Sequence, residues 1–248
     1  MRNILLTIEY DGTNYHGWQR QVNALSVQQL IEDSIEKITG ERAKLIGAGR
    51  TDTGVHAFGQ RANFKTGTRI NTVKIPPALN SQLPPDIRIV KAIDVNLDFH
   101  ARYHAVSKKY RYKIYNAPIS SAIYRNYSCF ISESLNFDLM KEASKHITGS
   151  RDFSSFCSSG SLVKSKVRNV QLLELERSGR MVELTIQADG FLYKMVRIIA
   201  GTLVEVGKGN IMPSHIGDIL DKKDRKLAGP TLPPQGLFLV EVLYGSHS

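Results

Sequence analysis

The sequence predicts an α+β protein made of two successive β-α-β-β-α-β units, that is, two ferredoxin-like halves spanning 1–105 and 106–248. Three observations predict it. Short apolar alternations mark strands, amphipathic stripes mark helices, and the same order of elements runs twice along the chain. With 248 residues, 42% hydrophobic and 23% charged, the chain can bury a core of that size.

In the first half, Ile4, Leu6, Ile8 and Tyr10 alternate as a strand. Ser26, with Gln29 three residues later, has the form of a capping box, a hydroxyl and a side-chain amide that satisfy the free N–H groups of a helix start. Val27, Leu30, Ile31, Ile35 and Ile38 then recur at helical spacing until Gly40. Strands are expected near 42–48 and 60–66. Pro76 and Pro77 are placed to open a helix within 71–83, and 86–95 alternates again.

From Ser107 the order returns. The segment 108–116 (KKYRYKIYN) is a strand, and Leu139, Met140, Ala143 and Ile147 stripe a helix. Strands at 167–177 and 181–188 are joined by Ser178-Gly179-Arg180, a hairpin turn. A long apolar helix is expected over 191–206, with Gly207 as its C-cap, then a short helix near 213–220 and a closing strand at 237–244.

Charge narrows the function. The chain carries a formal net charge of +10, of which +3 falls in 1–105 and +7 in 106–248. An excess of this size suits a polyanionic partner such as nucleic acid. No segment is long and apolar enough to span a bilayer, and MRNILLTIEY lacks the form of a signal sequence, so no membrane role is expected. Cys129 and Cys157 form no CxxC and no disulfide framework, which is consistent with a reducing cytoplasm.

Three segments are candidates for chemistry. In GAGRTDTGVHAFGQ (47–60) the glycines turn the backbone sharply after a strand. Asp52 stands where a dinucleotide loop needs its third glycine, and no helix pattern follows, so that nucleotide reading fails. Asp52 is then either a turn aspartate or a held carboxylate, with Thr51 and Thr53 able to hydrogen-bond it. Arg197, inside the apolar run MVRII, either snorkels to solvent or pairs with an anion such as Asp52 and keeps it ionised. On 108–116, Tyr110, Tyr112 and Ile114 share one face, and Lys109, Arg111 and Lys113 the other. That alternation serves either as a base-stacking platform or as a strand with tyrosines in the core.

Other signals are set aside. GTLVEVGKG lacks the spacing and the Ser/Thr of a phosphate loop. His100 and His104 have a metal-compatible spacing but no further ligand beside them, so no metal is expected. Neither cysteine has a neighbour that would activate it. KKDRK (222–226) reads as a solvated basic loop.

Taken together, YDGTNYHGWQRQ (10–21), GRTDTGVHAFGQ (49–60), FHAR (99–102), KKYRY (108–112), FLYKMVR (191–197) and GLFLVEVLY (236–244) resemble the tRNA pseudouridine synthase A family, in the family's order and nearly end to end. The resemblance implies that Asp52 is the catalytic aspartate, Arg197 its salt-bridge partner, and Tyr110 the ring that stacks on the target base. Arg50 would help to extrude that base, and His56, Gln60, Arg102 and Lys109, within the matched motifs or beside them, are expected to bind substrate with it. It further implies a homodimer that needs no metal or cofactor and acts on the anticodon arm of tRNA, at uridines 38, 39 or 40. The two sheets would be joined across a basic cleft.

Two other classes compete. A non-catalytic RNA-binding protein fits the charge and KKYRY but leaves an aspartate in an RNA cleft without a task. A cysteine-dependent uridine methyltransferase needs a nucleophilic cysteine and a nucleotide loop, and the chain offers neither.

Overall fold

The computed structural model describes residues 1–160 and 163–245 and has an α+β architecture. The chain divides into two compact units, Met1–Val106 with Phe238–Ser248, and Ser107–Leu237. No helix among the described residues is long and apolar enough to cross a membrane.

In the first unit, β1 (Arg2–Tyr10) lies between β3 (His56–Thr66) and β4 (Ile87–Val95), antiparallel to both. Ile4, Leu6 and Ile8 of β1 share one face and are fully buried, as are Ile31 and Ile35 of α1 (Val27–Thr39) and Leu79 of α2 (Ile75–Asn80). Each such side chain contributes roughly 2 kcal/mol. At the α1 start the hydroxyl half of the expected box forms: Ser26 Oγ accepts from the Gln29 N–H at 3.4 Å. Pro76 and Pro77 sit in the first turn of α2, where their missing N–H groups cost nothing.

The strand expected at 42–48 shrinks to β2 (Ile46–Gly47), antiparallel on β3. The preceding backbone bonds to side chains instead. The Leu45 N–H donates to Glu32 Oε1 at 3.0 Å, and the Leu45 carbonyl accepts from Gln28 Nε2 at 3.0 Å. A ladder partner is then not needed. The strand expected from residue 60 begins already at His56.

The closing strand, β10 (Leu237–Tyr244), runs parallel to β3, with Phe238 opposite His56 and Leu239 opposite Ala57. A division at 105/106 keeps this strand with the second half. From Phe238 onward it groups with the first unit instead, because its partner there is β3.

In the second unit the sheet runs β5-β9-β8-β7, from β5 (Ala105–Asn116) and β9 (Met181–Ala188) to β8 (Val167–Ser178) and β7 (Gly149–Asp152). β6 (Cys129–Ile131) pairs in parallel with β5. At four and three residues, β7 and β6 are too short to leave a periodic trace in sequence. The helices are α3 (Phe137–Ser144), α4 (Met195–Gly207) and α5 (His215–Lys222). Tyr112, Leu184 and Ile186 of the sheet and Ile198, Ile199 and Leu203 of α4 form the core.

Two details of α4 depart from expectation. Residues 191–194 form a turn before the helix rather than its first coil, and Lys194 is left-handed at φ 59°. Gly207 is helical rather than the C-cap, which is Lys208. Its carbonyl accepts from the Asn136 N–H at 2.8 Å, and a Cβ there would lie 2.9 Å from Met140 Cγ. Gly207 is therefore a close-approach residue.

Candidate active site

The loop between β2 and β3, which carries Asp52, is anchored on several sides within the first unit. The Trp18 N–H donates to the Thr51 carbonyl (3.1 Å), the Gly54 N–H to the Tyr15 carbonyl (3.3 Å), and the Val55 N–H to the carbonyl of Asp52 itself (3.2 Å). Gln60 Nε2 donates to the Gly49 carbonyl at 2.9 Å. The segment 12–18 must approach closely to do this. Gly17, at φ +86°, is the clearest case: a Cβ there would sit 2.5 Å from the Thr51 carbonyl oxygen.

Thr51, expected beside Asp52, bonds elsewhere: its Oγ1 lies 2.8 Å from the Tyr10 hydroxyl, in a buried contact. Burial pushes the Tyr10 phenol well above its ordinary value, against the opposing hydrogen bonds from Thr51 and Gln60. Tyr10 therefore stays a neutral anchor. Thr53 is exposed, Asp52 half-buried and Arg50 exposed.

His56 is buried, and its ring stacks on Phe238 with centroids 4.7 Å apart. Its Nδ1 lies 3.0 Å from both the Gly12 nitrogen and Asp11 Oδ1. One nitrogen cannot accept from the first and donate to the second. The Gly12 N–H has a fixed direction and is buried, so we assign Nδ1 as its acceptor, while Asp11 Oδ1 accepts from the Thr13 N–H and hydroxyl. Gln60 is fully buried. Both side chains, expected at the substrate, thus hold backbone of this loop and of its neighbour. Arg102 is exposed on the segment that follows β4.

In the second unit, Tyr110 lies on β5 opposite Ile186, 7% exposed, with Phe191 edge-on at 5.0 Å. Tyr112 is wholly in the core, its hydroxyl donating to the Pro233 carbonyl at 2.7 Å. On the opposite face, Lys109 is half-exposed, while Arg111 and Lys113 both reach Glu183, at 3.3 and 3.5 Å. Part of that basic stripe is internally neutralised.

Arg197 lies in the first turn of α4, where a cation opposes the helix dipole and needs another reason to be there. It does not simply reach into solvent. It is half-buried, and its Nε donates to the Leu232 carbonyl at 2.7 Å, while the Leu232 N–H returns to the Arg197 carbonyl at 3.2 Å. The segment 228–233 can lie this close because α4 has Gly201, whose added Cβ would sit 1.9 Å from the Pro230 oxygen. Thr202 Oγ1 accepts from the Gly229 N–H at 2.9 Å on the next step of the helix. The sequence signal was present in Gly201, Gly229 and the prolines of 229–236, but no local pattern connects residues so far apart.

His100 and His104 hold backbone: the Nδ1 of His100 accepts from the Arg102 and Tyr103 N–H groups and that of His104 from the His100 N–H. No metal-holding group of three ligands occurs among the described residues. Both cysteines are free and buried.

The loop with Asp52 and the helix turn with Arg197 both fall in segments shared with known proteins. A model of the tRNA pseudouridine synthase family matches residues 6–104 and 143–245. This chain belongs to the tRNA pseudouridine synthase family. Proteins named tRNA pseudouridine synthase A from Thermoanaerobacter sp. (strain X514) and Caldicellulosiruptor saccharolyticus are 52% and 54% identical to it, each over 244 residues, 98% of this chain and 100% of theirs. One from Syntrophomonas wolfei is 45% identical over 248 residues, the full length of both. As a family member the chain is an isomerase acting on tRNA.

Proposed function

We propose that this pseudouridine synthase isomerises uridine 38, 39 or 40 in the anticodon arm of tRNA, with Asp52 as the catalytic carboxylate. The observation that carries the reading is the anchoring of the Asp52 loop: bonds to Trp18, Tyr15 and Gln60 hold its backbone while the carboxylate stays half-buried.

In the reaction the N1–C1′ bond breaks, the uracil turns, C5 bonds to C1′, N1 gains a proton and the C5 proton leaves to water. No redox change or external group is involved. Asp52 either attacks C1′, adds to C6, or stabilises and deprotonates a ribosyl intermediate, and each role requires its ionised form. Arg197 is its proposed ion-pair partner. The bond from Nε to Leu232 holds the guanidinium in one plane, so the positive charge has a set direction. Tyr110, fixed edge-on by Phe191, is the proposed stacking ring for the target base and offsets part of the few kcal/mol spent in taking that base out of its stack. Its phenol is also placed in the proposal as an aid to removal of the C5 proton.

Arg50, Arg102 and Lys109 are the proposed contacts to RNA, with His56 and Gln60 acting through the loop they hold. We read each unit as a ferredoxin-like module, on the antiparallel orders β4-β1-β3-β2 and β5-β9-β8. The active species is proposed to be a cytoplasmic homodimer without a cofactor; sedimentation of the purified protein checks the dimer.

The test is to incubate an unmodified tRNA transcript with the protein and map pseudouridine along it. Pseudouridine at 38–40 is expected. Binding of the tRNA with none formed would overturn the catalytic reading in favour of a non-catalytic RNA-binding protein.

A further inference from the structure

The segment 96–104 combines an exposed surface with a rigid base. Asn3 and Asn63 are both fully buried and spend their amides on it. Asn3 Nδ2 donates to the carbonyls of Asn96 (2.9 Å) and Phe99 (3.0 Å), and Asn63 Oδ1 accepts from the Ala101 N–H (2.8 Å). Asn63 Nδ2 donates to Asn3 Oδ1 at 2.9 Å, which locks the two amides in a single orientation. On the far side the Tyr244 hydroxyl donates to the Ala101 carbonyl at 2.9 Å. Buried amides satisfied this fully rigidify what they hold.

What they hold is a ring stack in water. Tyr103 is 74% exposed, and its ring lies on that of His100 with centroids 4.2 Å apart and planes 29° from parallel. The His100 ring cannot turn away, since its Nδ1 accepts from the Arg102 and Tyr103 N–H groups. The Arg102 guanidinium lies 6.0 Å from the Tyr103 centroid. A lone exposed tyrosine is ordinary and asks for no explanation. A preorganised aromatic pair beside a cation, on a chain of net charge +10, has the composition that unpaired bases and their phosphates recognise.

We propose that Tyr103, backed by His100 and flanked by Arg102, is a stacking platform for an unpaired tRNA nucleobase other than the uridine being isomerised. Tyr103 supplies the face, His100 keeps that face upright, and Arg102 meets the adjoining phosphate. This rests on tRNA being the substrate but not on Asp52 being the catalyst.

The experiment measures the Kd for tRNA already treated to completion with the wild-type protein, so that turnover does not enter. Tyr103→Ala and Tyr103→Leu should each weaken binding about tenfold, the loss expected for one stacked base. Tyr103→Phe, which keeps the ring, should restore it to within about twofold. Arg102→Ala should lower the slope of log Kd against log salt by about one, and Tyr103→Ala should leave that slope alone. Wild-type affinity in Tyr103→Ala, or full affinity in Tyr103→Leu, overturns the platform. Because Tyr103 is mostly in solvent, its loss should not perturb folding, and an unchanged melting temperature verifies that. Failure of the wild-type chain to form pseudouridine would sink the catalytic reading while leaving these affinities interpretable.

Discussion

The Asp52 loop and the first turn of α4 are both held firmly, but by different forces. The loop is held by hydrogen bonds from nearby backbone and by residues that fit no other way, such as Gly17 against Thr51. The helix turn is held by apolar burial, with Ile198, Ile199 and Leu203 in the core and the segment 228–233 laid over Gly201. Hydrogen-bonded loops can lose their geometry while the rest of the molecule stays folded. A core helix cannot be displaced without cost to the whole unit. Substitutions that overpack the helix turn should therefore cost more stability than substitutions in the loop.

The sharpest break is Gly201→Ala. Its methyl would meet the Pro230 carbonyl, which belongs to backbone and cannot turn aside. We expect a loss of about 3 kcal/mol, at the upper end for overpacking, which in a chain of this length lowers Tm by roughly 6–12 °C. Calorimetry checks it, and a Tm within a degree or two of wild type would mean that the segment 228–233 is not packed as described.

Thr51→Val tests the loop side. It leaves the buried Tyr10 hydroxyl with one partner fewer, at a cost of about 1–2 kcal/mol. The added change Tyr10→Phe should recover most of that stability while turnover stays low, if Thr51 matters by placing its neighbour. Recovery of turnover together with stability would show instead that the loop responds only to global folding.

Arg197→Lys keeps the charge but loses the planar fork and the Nε bond to Leu232. Turnover should fall by about tenfold, with a smaller change in Tm than for Gly201→Ala. Unchanged single-turnover rates would argue against a fixed guanidinium.

The smallest effect lies at the far end of α4. Lys208, just past the helix, reaches Glu133 at 2.7 Å, and that contact leads the causes that hold the Glu133 carboxyl down at about 2 against an ordinary 4.5. A depressed carboxyl stabilises the fold above its unfolded value and stops doing so as pH falls from about 4.5 toward 2. Glu133 is exposed, so solvent screens most of the effect. Glu133→Gln should lower Tm slightly at pH 7 and not at pH 2, as a pH series of thermal melts would record.

The same contrast explains what could be read from the chain alone. The turn that carries Asp52 was legible in the glycines of 47–54. Strands and helices with a clear period, such as β1, α1 and the hairpin of β8 and β9, were legible too. The anchors were not. Tyr10 and Thr51 meet across 41 positions, and Leu232 and Arg197 across 35, and periodicity carries no information about such pairs. His56 and Gln60 follow the aspartate in one motif, and that their side chains turn to the buried backbone was not legible there. Gly207 looked like a helix stop because a glycine after an apolar helix commonly is one, and only its neighbour Met140 shows otherwise.

The anchored loop is proposed to hold the Asp52 carboxylate at a uridine, and tRNA carrying tritium at uridine C5 tests this. The wild-type protein should release that tritium to water as pseudouridine forms, and Asp52→Ala, folded and still binding tRNA, should release none above background. Substantial tritium release by Asp52→Ala would show that the loop does not hold the catalyst.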